Sequence, residues 1–258
     1  PEERFNRQKR TKVFPGQSIS FCLEQGDVSL SDCSAVAQAW NPGASWNKFN
    51  PLISAGRTNR EQYFYSVPDN LFNIADRKVS DWLKMELAPD SGLPTIYYIQ
   101  HHRAHAANAF FLSPFEEAAI LTCDWRGEFE CTTMCHGHAN NIDVLQTQSV
   151  PNSLGMFYGT FTELLGYRPD SDEWKVMALS AFDVDCSKYE KAIRETIRLS
   201  EGGLLELDQS FYKGVILDQP KTYTQKLIEI LDGREGKPNE EAGEWHFAVA
   251  KAMQNVAE

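Results

Sequence analysis

The sequence predicts an α/β protein on three observations. Strand-like and helix-like stretches alternate along the chain. Two short apolar runs, 95–99 and 117–123, read as buried strands. A helical pattern over 101–112 stands between them. Ser18 is expected to cap a short helix through Leu23, which Gly26 ends. Residues 34–40 read as a strand, and 41–61, rich in Asn, Pro, Gly and Ser, as a long loop. From Asp69, a plausible cap, the apolar residues Leu71, Ala75, Val79, Trp82 and Leu83 follow helical spacing. Pro114 closes the 101–112 helix, and the second apolar run stops at Asp124. Further strand signal surrounds 129–135 and 142–148. Ser153 caps a helix ending at Gly166, and two more helices fit 173–181 and 187–199. Residues 201–244 hold ten acids and five bases and read as an exposed insertion with short elements. A final helix from Glu244 sets Trp245, Ala248, Met253 and Val256 on one side.

Composition narrows the classes. The chain has 258 residues, 42% hydrophobic and 24% charged, which suits a folded core rather than disorder. No run of about 18 apolar residues predicts a membrane span. With 25 Lys+Arg against 36 Asp+Glu, the formal charge is −11, so neither a membrane nor nucleic acid is an expected partner. Six cysteines scattered singly are expected to be reduced thiols in a cytoplasmic protein.

Chemistry concentrates in 95–128. His101 and His105 are four residues apart on the predicted helix, so both imidazoles leave one face about a turn apart. That suits two ligands on one divalent ion. Asp124, at the end of the following strand, completes a 2-His-1-carboxylate set, which fits iron(II) as well as zinc. Surface or supporting roles for the His pair remain the alternative. His102 follows the first His where a zinc protease carries Glu, which excludes that class; His102 is instead a candidate catalytic residue. A competing metal reading is the run C-T-T-M-C-H-G-H at 131–138. Its ligand types suit zinc, but on a strand Cys131 and Cys135 stand about 13 Å apart at ~3.3 Å per residue. Ser153 serves either as a plain cap or to present helix N–H groups to a phosphate. Lys175, flanked by bulky apolar residues, needs a partner, either Glu173 or a ligand phosphate. Walker A, G-x-G-x-x-G and G-x-S-x-G signatures are absent from the sequence.

Five blocks taken in order resemble a known family. They are E-E-R-F-x-R-x-K (2–9), H-H-R-A-H-A-A-N-A-F-F-L-S-P-F (101–115), D-W-R-G-E (124–128), P-N-S-L-G-x-F-Y (151–158) and E-W-K-V-M-A-L (173–179). Together they resemble the N-terminal domain of the NodU-type O-carbamoyltransferases, most strongly over 2–182. The resemblance implies an actin/Hsp70-like (ASKHA, ribonuclease H-like) lobe with helical insertions, similar to that of tRNA threonylcarbamoyl-transfer enzymes. It also implies a YrdC-like domain elsewhere in the full-length protein, which makes carbamoyl adenylate from carbamoyl phosphate and ATP. The N-terminal domain would then pass the carbamoyl group to a small-molecule hydroxyl acceptor.

On this resemblance His101, His105 and Asp124 fall on the family's metal positions, with iron(II) the implied ion. Lys9 and Lys175 fall near the phosphate or carbamoyl group. Lys9 joins His102 as a catalytic candidate, and Lys175, Ser153 and Glu173 become nucleotide-side candidates. The sequence departs from the family pattern at Trp125, where Gly is usual, and at Asp183. Residues 1–258 are expected to be a partial domain, cut at both ends and inactive alone. The alternatives are a metal- or nucleotide-binding domain without catalysis and a threonylcarbamoyl-type tRNA modifier.

Overall fold

The computed structural model describes residues 1–8, 11, 13–41, 83, 87, 92–213 and 221–258. The expected loop at 41–61 and most of the helix from Asp69 therefore lie outside the described residues. The described chain is mixed α/β and divides into two compact units, Pro1–Ala104 and His105–Glu258.

In the first unit, α1 (Glu3–Asn6) precedes α2 (Gly16–Gln25). Helix α2 ends at Gly26 as expected, but Ser18 is not its cap. The opening N–H groups are met from outside the helix. Glu2 accepts from the Ser18 amide and hydroxyl, both at 2.9 Å, and from the Gln17 amide at 3.4 Å. Burial of Glu2 raises its pKa, but the hydrogen bonds from Ser18 and Gln17 outweigh this and hold the carboxyl below its ordinary value. Strands β1 (Ala35–Gln38) and β2 (Thr95–Tyr98) pair in parallel. Strand β2 is less buried than its apolar sequence predicts, with Tyr97 54% exposed. Among the described residues it pairs with β1 alone, in a two-stranded sheet.

Helix α3 (His101–Phe111) leads into an antiparallel meander of β3 (Glu117–Cys123), β4 (Glu130–His138) and β5 (Asn141–Ser149). Ala106 and Phe110, one turn apart on α3, pack with Ile120, Cys135 and Ile142 from the three strands. A Cβ on Gly137 would stand 2.8 Å from the Phe110 ring, so glycine there makes room for the aromatic. Only one face of the sheet is covered in this way. Strand β3 therefore alternates, burying Ile120 and Thr122 while Leu121 stays exposed, and is half-buried rather than fully buried.

The larger core is helical. Helices α4 (Leu154–Leu164), α5 (Glu173–Ser180), α6 (Ser187–Arg194), α7 (Gln225–Ile230) and α8 (Glu244–Ala257) supply it. Phe157, Phe161, Val176, Ile193, Leu227, Val249 and Met253 are fully buried within it. Helix α6 is shorter than the sequence predicts. Buried Thr196 donates its hydroxyl to the Ile193 carbonyl and meets the Tyr212 hydroxyl at 2.6 Å. The chain then forms β6 (Ile197–Leu199), paired antiparallel with β7 (Leu205–Leu207). The expected exposure of 201–244 also fails. Leu207, Phe211, Tyr212, Tyr223, Leu227 and Leu231 enter the same core. The charges of this stretch stay outside as pairs such as Lys221–Glu235 and Arg234–Glu240.

Truncating Phe110 to Ala is expected to cost about 3–5 kcal/mol, the range for emptying a well-packed aromatic site. Leu112→Ala, at a residue 80% exposed, should stay within about 0.5 kcal/mol. Urea unfolding of the two variants checks the contrast; equal losses would contradict the packing.

Candidate metal centre

Two local features build the site. The first is α3, whose 3.6-residue repeat puts His101 and His105 on one stripe. His102, Ala106 and Phe110 form the neighbouring stripe, and all three are buried. His102, a catalytic candidate by sequence, is 3% exposed, and its ring is part of the packed side of the helix.

The second feature is the turn between β3 and β4. The Asp124 amide donates to the Cys131 carbonyl at 2.9 Å, closing the ladder and starting the D-W-R-G-E turn. Asp124 then splits its oxygens. Oδ1 accepts the Trp125 amide at 2.6 Å, while Oδ2 stands 3.4 Å from His105 Nε2. His105 and Asp124 are both partly open to solvent.

The spacing suits ligation. Two ligands held at ~2.1 Å from one ion at tetrahedral to octahedral angles stand roughly 3.0–3.4 Å apart. His101 is one turn before His105 on the same helix, and donor atoms of His101, His105 and Asp124 all lie within 4.8 Å of one another. The Nδ1 of His101 faces the Ala39 carbonyl at 3.4 Å. That contact favours a proton on Nδ1 and leaves Nε2 as the donor. Two imidazoles and a carboxylate with further positions open form a set that fits iron(II) or zinc.

The start of α4 holds the turn in place. Ser153 is fully buried, and its hydroxyl proton is shared between the carbonyls of Asp124 (3.1 Å) and Trp125 (2.7 Å). The same oxygen accepts the Met156 amide at 3.1 Å, which caps the helix. Ser153 thus serves as the plain cap, with its hydroxyl satisfied within the chain. Gly155 has a matching reason, because a Cβ there would fall 2.5 Å from Trp125 Cα and 2.6 Å from its nitrogen. The P-N-S-L-G block therefore presses a helix end directly onto the backbone of Asp124 and Trp125. Sequence reading finds Ser153 as a cap but misses this contact, which joins residues about 30 positions apart.

The remaining candidates are dispersed. Lys9 lies outside the described residues. Lys175 is partly exposed and pairs with Asp172 at 3.1 Å rather than with Glu173. It also stands over the rings of Tyr167 and Trp174, at 5.9 and 5.6 Å. Glu173 accepts the Asp170 amide instead. Asp183 faces Lys251 at 3.7 Å. The run 131–138 does not gather as one zinc site. Cys131 and Cys135 are on the buried face of β4, while His136 and His138 are on the other. Burial also pushes the Cys131 thiol up to about 12, against the thiolate a metal needs. All six cysteines are free. Among the described residues no helix is long and apolar enough to cross a membrane.

Replacing Ser153 with Ala should cost about 1–2 kcal/mol, as loss of a helix cap does. Gly155→Ala should cost about 1–3 kcal/mol by overpacking. Both variants should also bind metal more weakly than wild type, since the turn carrying Asp124 shifts. Urea unfolding with parallel metal titration checks this; unchanged stability and metal affinity in both would contradict the clamp.

Comparison with known proteins agrees with the order of the motifs. The family described as "Carbamoyltransferase N-terminus" matches residues 1–198. Nodulation protein NolNO of Sinorhizobium fredii is 32% identical over 70% of this chain and 25% of its own length. Nodulation protein NolO of Bradyrhizobium diazoefficiens is 32% identical over 41% of this chain and 19% of its own. An uncharacterized Synechocystis protein, sll1178, is 29% identical over the whole chain and 42% of its own length. The chain thus spans less than half the length of these relatives. With three-quarters of its residues inside the family match, the chain belongs to the NodU-type carbamoyltransferase family, in its N-terminal domain.

Proposed function

We propose that this chain contributes the metal-binding part of an O-carbamoyltransferase. The activity is transfer of a carbamoyl group from carbamoyl adenylate to the hydroxyl of a small acceptor. The convergence of two imidazoles and a carboxylate, in a member of this family, is the observation that carries the reading. His101, His105 and Asp124 would hold a divalent ion, iron(II) by the family resemblance. When bound, such an ion supplies Lewis-acid polarisation of a carbonyl.

The chain's own residues do the positioning. Helix α3 fixes the angle between the two imidazoles. The Trp125 amide fixes one oxygen of Asp124 and turns the other toward His105. In the transfer, the acceptor oxygen bonds to the carbamoyl carbon and gives up its proton to solvent, the bond from that carbon to the phosphate oxygen breaks, and AMP leaves. The leaving phosphate needs positive charge. Lys175 is half-exposed on a pairing that a phosphate can replace, and Lys9 is the second cation assigned to this role. The buried Ser153 and the backbone-bound Glu173 serve the local frame rather than the nucleotide.

A YrdC-like domain of the full-length protein would make carbamoyl adenylate from carbamoyl phosphate and ATP. The antiparallel β3–β4–β5 meander with α3 on one face supports an actin/Hsp70-like lobe as the fold of this part. A cytoplasmic setting, expected from the sequence, belongs to the same reading.

Metal analysis after reconstitution with iron(II) tests the reading. The wild-type chain should hold about one equivalent at this centre. His105→Ala and Asp124→Asn should each weaken binding by about tenfold or more, since even supporting partners of ligands contribute that much. The same variants in the full-length protein should lose carbamoyl transfer. Unchanged metal content and transfer in both would overturn the assignment.

A further inference from the structure

The exposed face of the meander carries a second cluster of metal-ligating side chains, built from all three strands. His136 and His138 are two apart on β4, so both imidazoles leave the same face of the sheet. Their ring centroids are 5.1 Å apart. Glu117 opens β3 and reaches His136 Nε2 with Oε1 at 2.8 Å. Asp143, on β5, reaches His138 Nε2 with Oδ2 at 2.9 Å. The register explains the crossed pattern. Glu117 is directly opposite His138, and Asp143 is directly opposite His136, so each carboxylate takes the diagonal imidazole. The result is a carboxylate–imidazole–imidazole–carboxylate array across three strands.

The geometry points to a divalent-cation site here, formed by His136, His138 and Asp143 with Glu117 as the fourth ligand, for an ion of the zinc, nickel or copper class. Donor atoms of His136, His138 and Asp143 already lie within 4.8 Å of one another. Ligands on one zinc ion stand roughly 3.4 Å apart, so these three close on an ion by small side-chain rotations, and the exposed Glu117 side chain swings in to join them. Two imidazoles with two carboxylates suit four-coordinate zinc, and the mixed nitrogen and oxygen set suits nickel(II) and copper(II). Magnesium and calcium prefer oxygen shells and large ligand counts, which this array does not offer. Binding would replace each imidazole–carboxylate hydrogen bond with a bond from the ring nitrogen to the ion.

The site is separate from the first. Glu117 begins β3 and Asp124 follows its end, about 23 Å along an extended strand at ~3.3 Å per residue. The ion would tie the β3–β4 and β4–β5 edges together at the end of the sheet away from Asp124. The backing is firm, because β4 shows Cys135 and Gly137 to the α3 core in alternation with the two imidazoles.

Calorimetric titration of zinc into the chain carrying His101→Ala and His105→Ala isolates this cluster from the α3 centre. One zinc should bind per chain, and tenfold excess magnesium should not compete. Adding His136→Asn and His138→Asn should remove that equivalent, with the far-UV spectrum unchanged. Asp143→Asn and Glu117→Gln each remove one carboxylate without touching an imidazole and should weaken binding at least fivefold. In the fully native chain, zinc should shift the imidazole nitrogen resonances of His136 and His138 and leave those of buried His246 in place. Absence of saturable zinc binding in the first variant would overturn the proposal. So would the same stoichiometry and affinity with and without His136 and His138. Loss of binding with retained fold in the imidazole and carboxylate variants supports it, whatever the outcome at the α3 centre.

Discussion

The contact on which the site depends is the approach of the α4 N-terminus to the backbone of Asp124 and Trp125. A buried hydroxyl proton, shared between two carbonyls, is a strong constraint, because no water can replace it. Gly155 allows the approach, and no other residue fits without moving the turn. The turn in turn fixes Asp124, whose Oδ2 faces His105 from the other side. The helical core behind α4 and the strand ladder in front of the turn thus meet at one carboxylate. This ties three separated blocks of the sequence, at 101–115, 124–128 and 151–158, to a single local geometry.

The same contact accounts for Trp125. An indole at this position is tolerated because only the Trp125 backbone is pressed by α4. Its ring is partly exposed, with the Arg126 guanidinium 5.5 Å from the centroid. The departure from the family's usual glycine therefore leaves the Asp124 carboxylate held, and changes what stands beside it.

Much of this was legible in the sequence. The i,i+4 spacing of His101 and His105, the strand ending at Asp124 and the Ser153 cap are local patterns, and each stands in the structure. What escaped were the properties set by distant partners. His102 looked chemically available, but the stripe it shares with Ala106 and Phe110 buries it. Lys175 chose Asp172, three residues back at the cap of its helix, over Glu173 two residues back, as helical geometry favours. The acid-rich stretch 201–244 looked exposed because averaging its composition hid aromatic and aliphatic residues that insert singly into the helical core. The cluster on β4 was invisible in the run 131–138, since its carboxylates come from β3 and β5, and only the register brings them together.

Whether the proposed centre takes up iron is measured most directly in the folded protein. An anomalous difference map from crystals grown anaerobically with iron(II) measures this without reference to activity. The account predicts a peak bonded to the Nε2 atoms of His101 and His105 and to Oδ2 of Asp124. A peak elsewhere, or no peak, with His105 and Asp124 joined by an ordinary hydrogen bond, would contradict it.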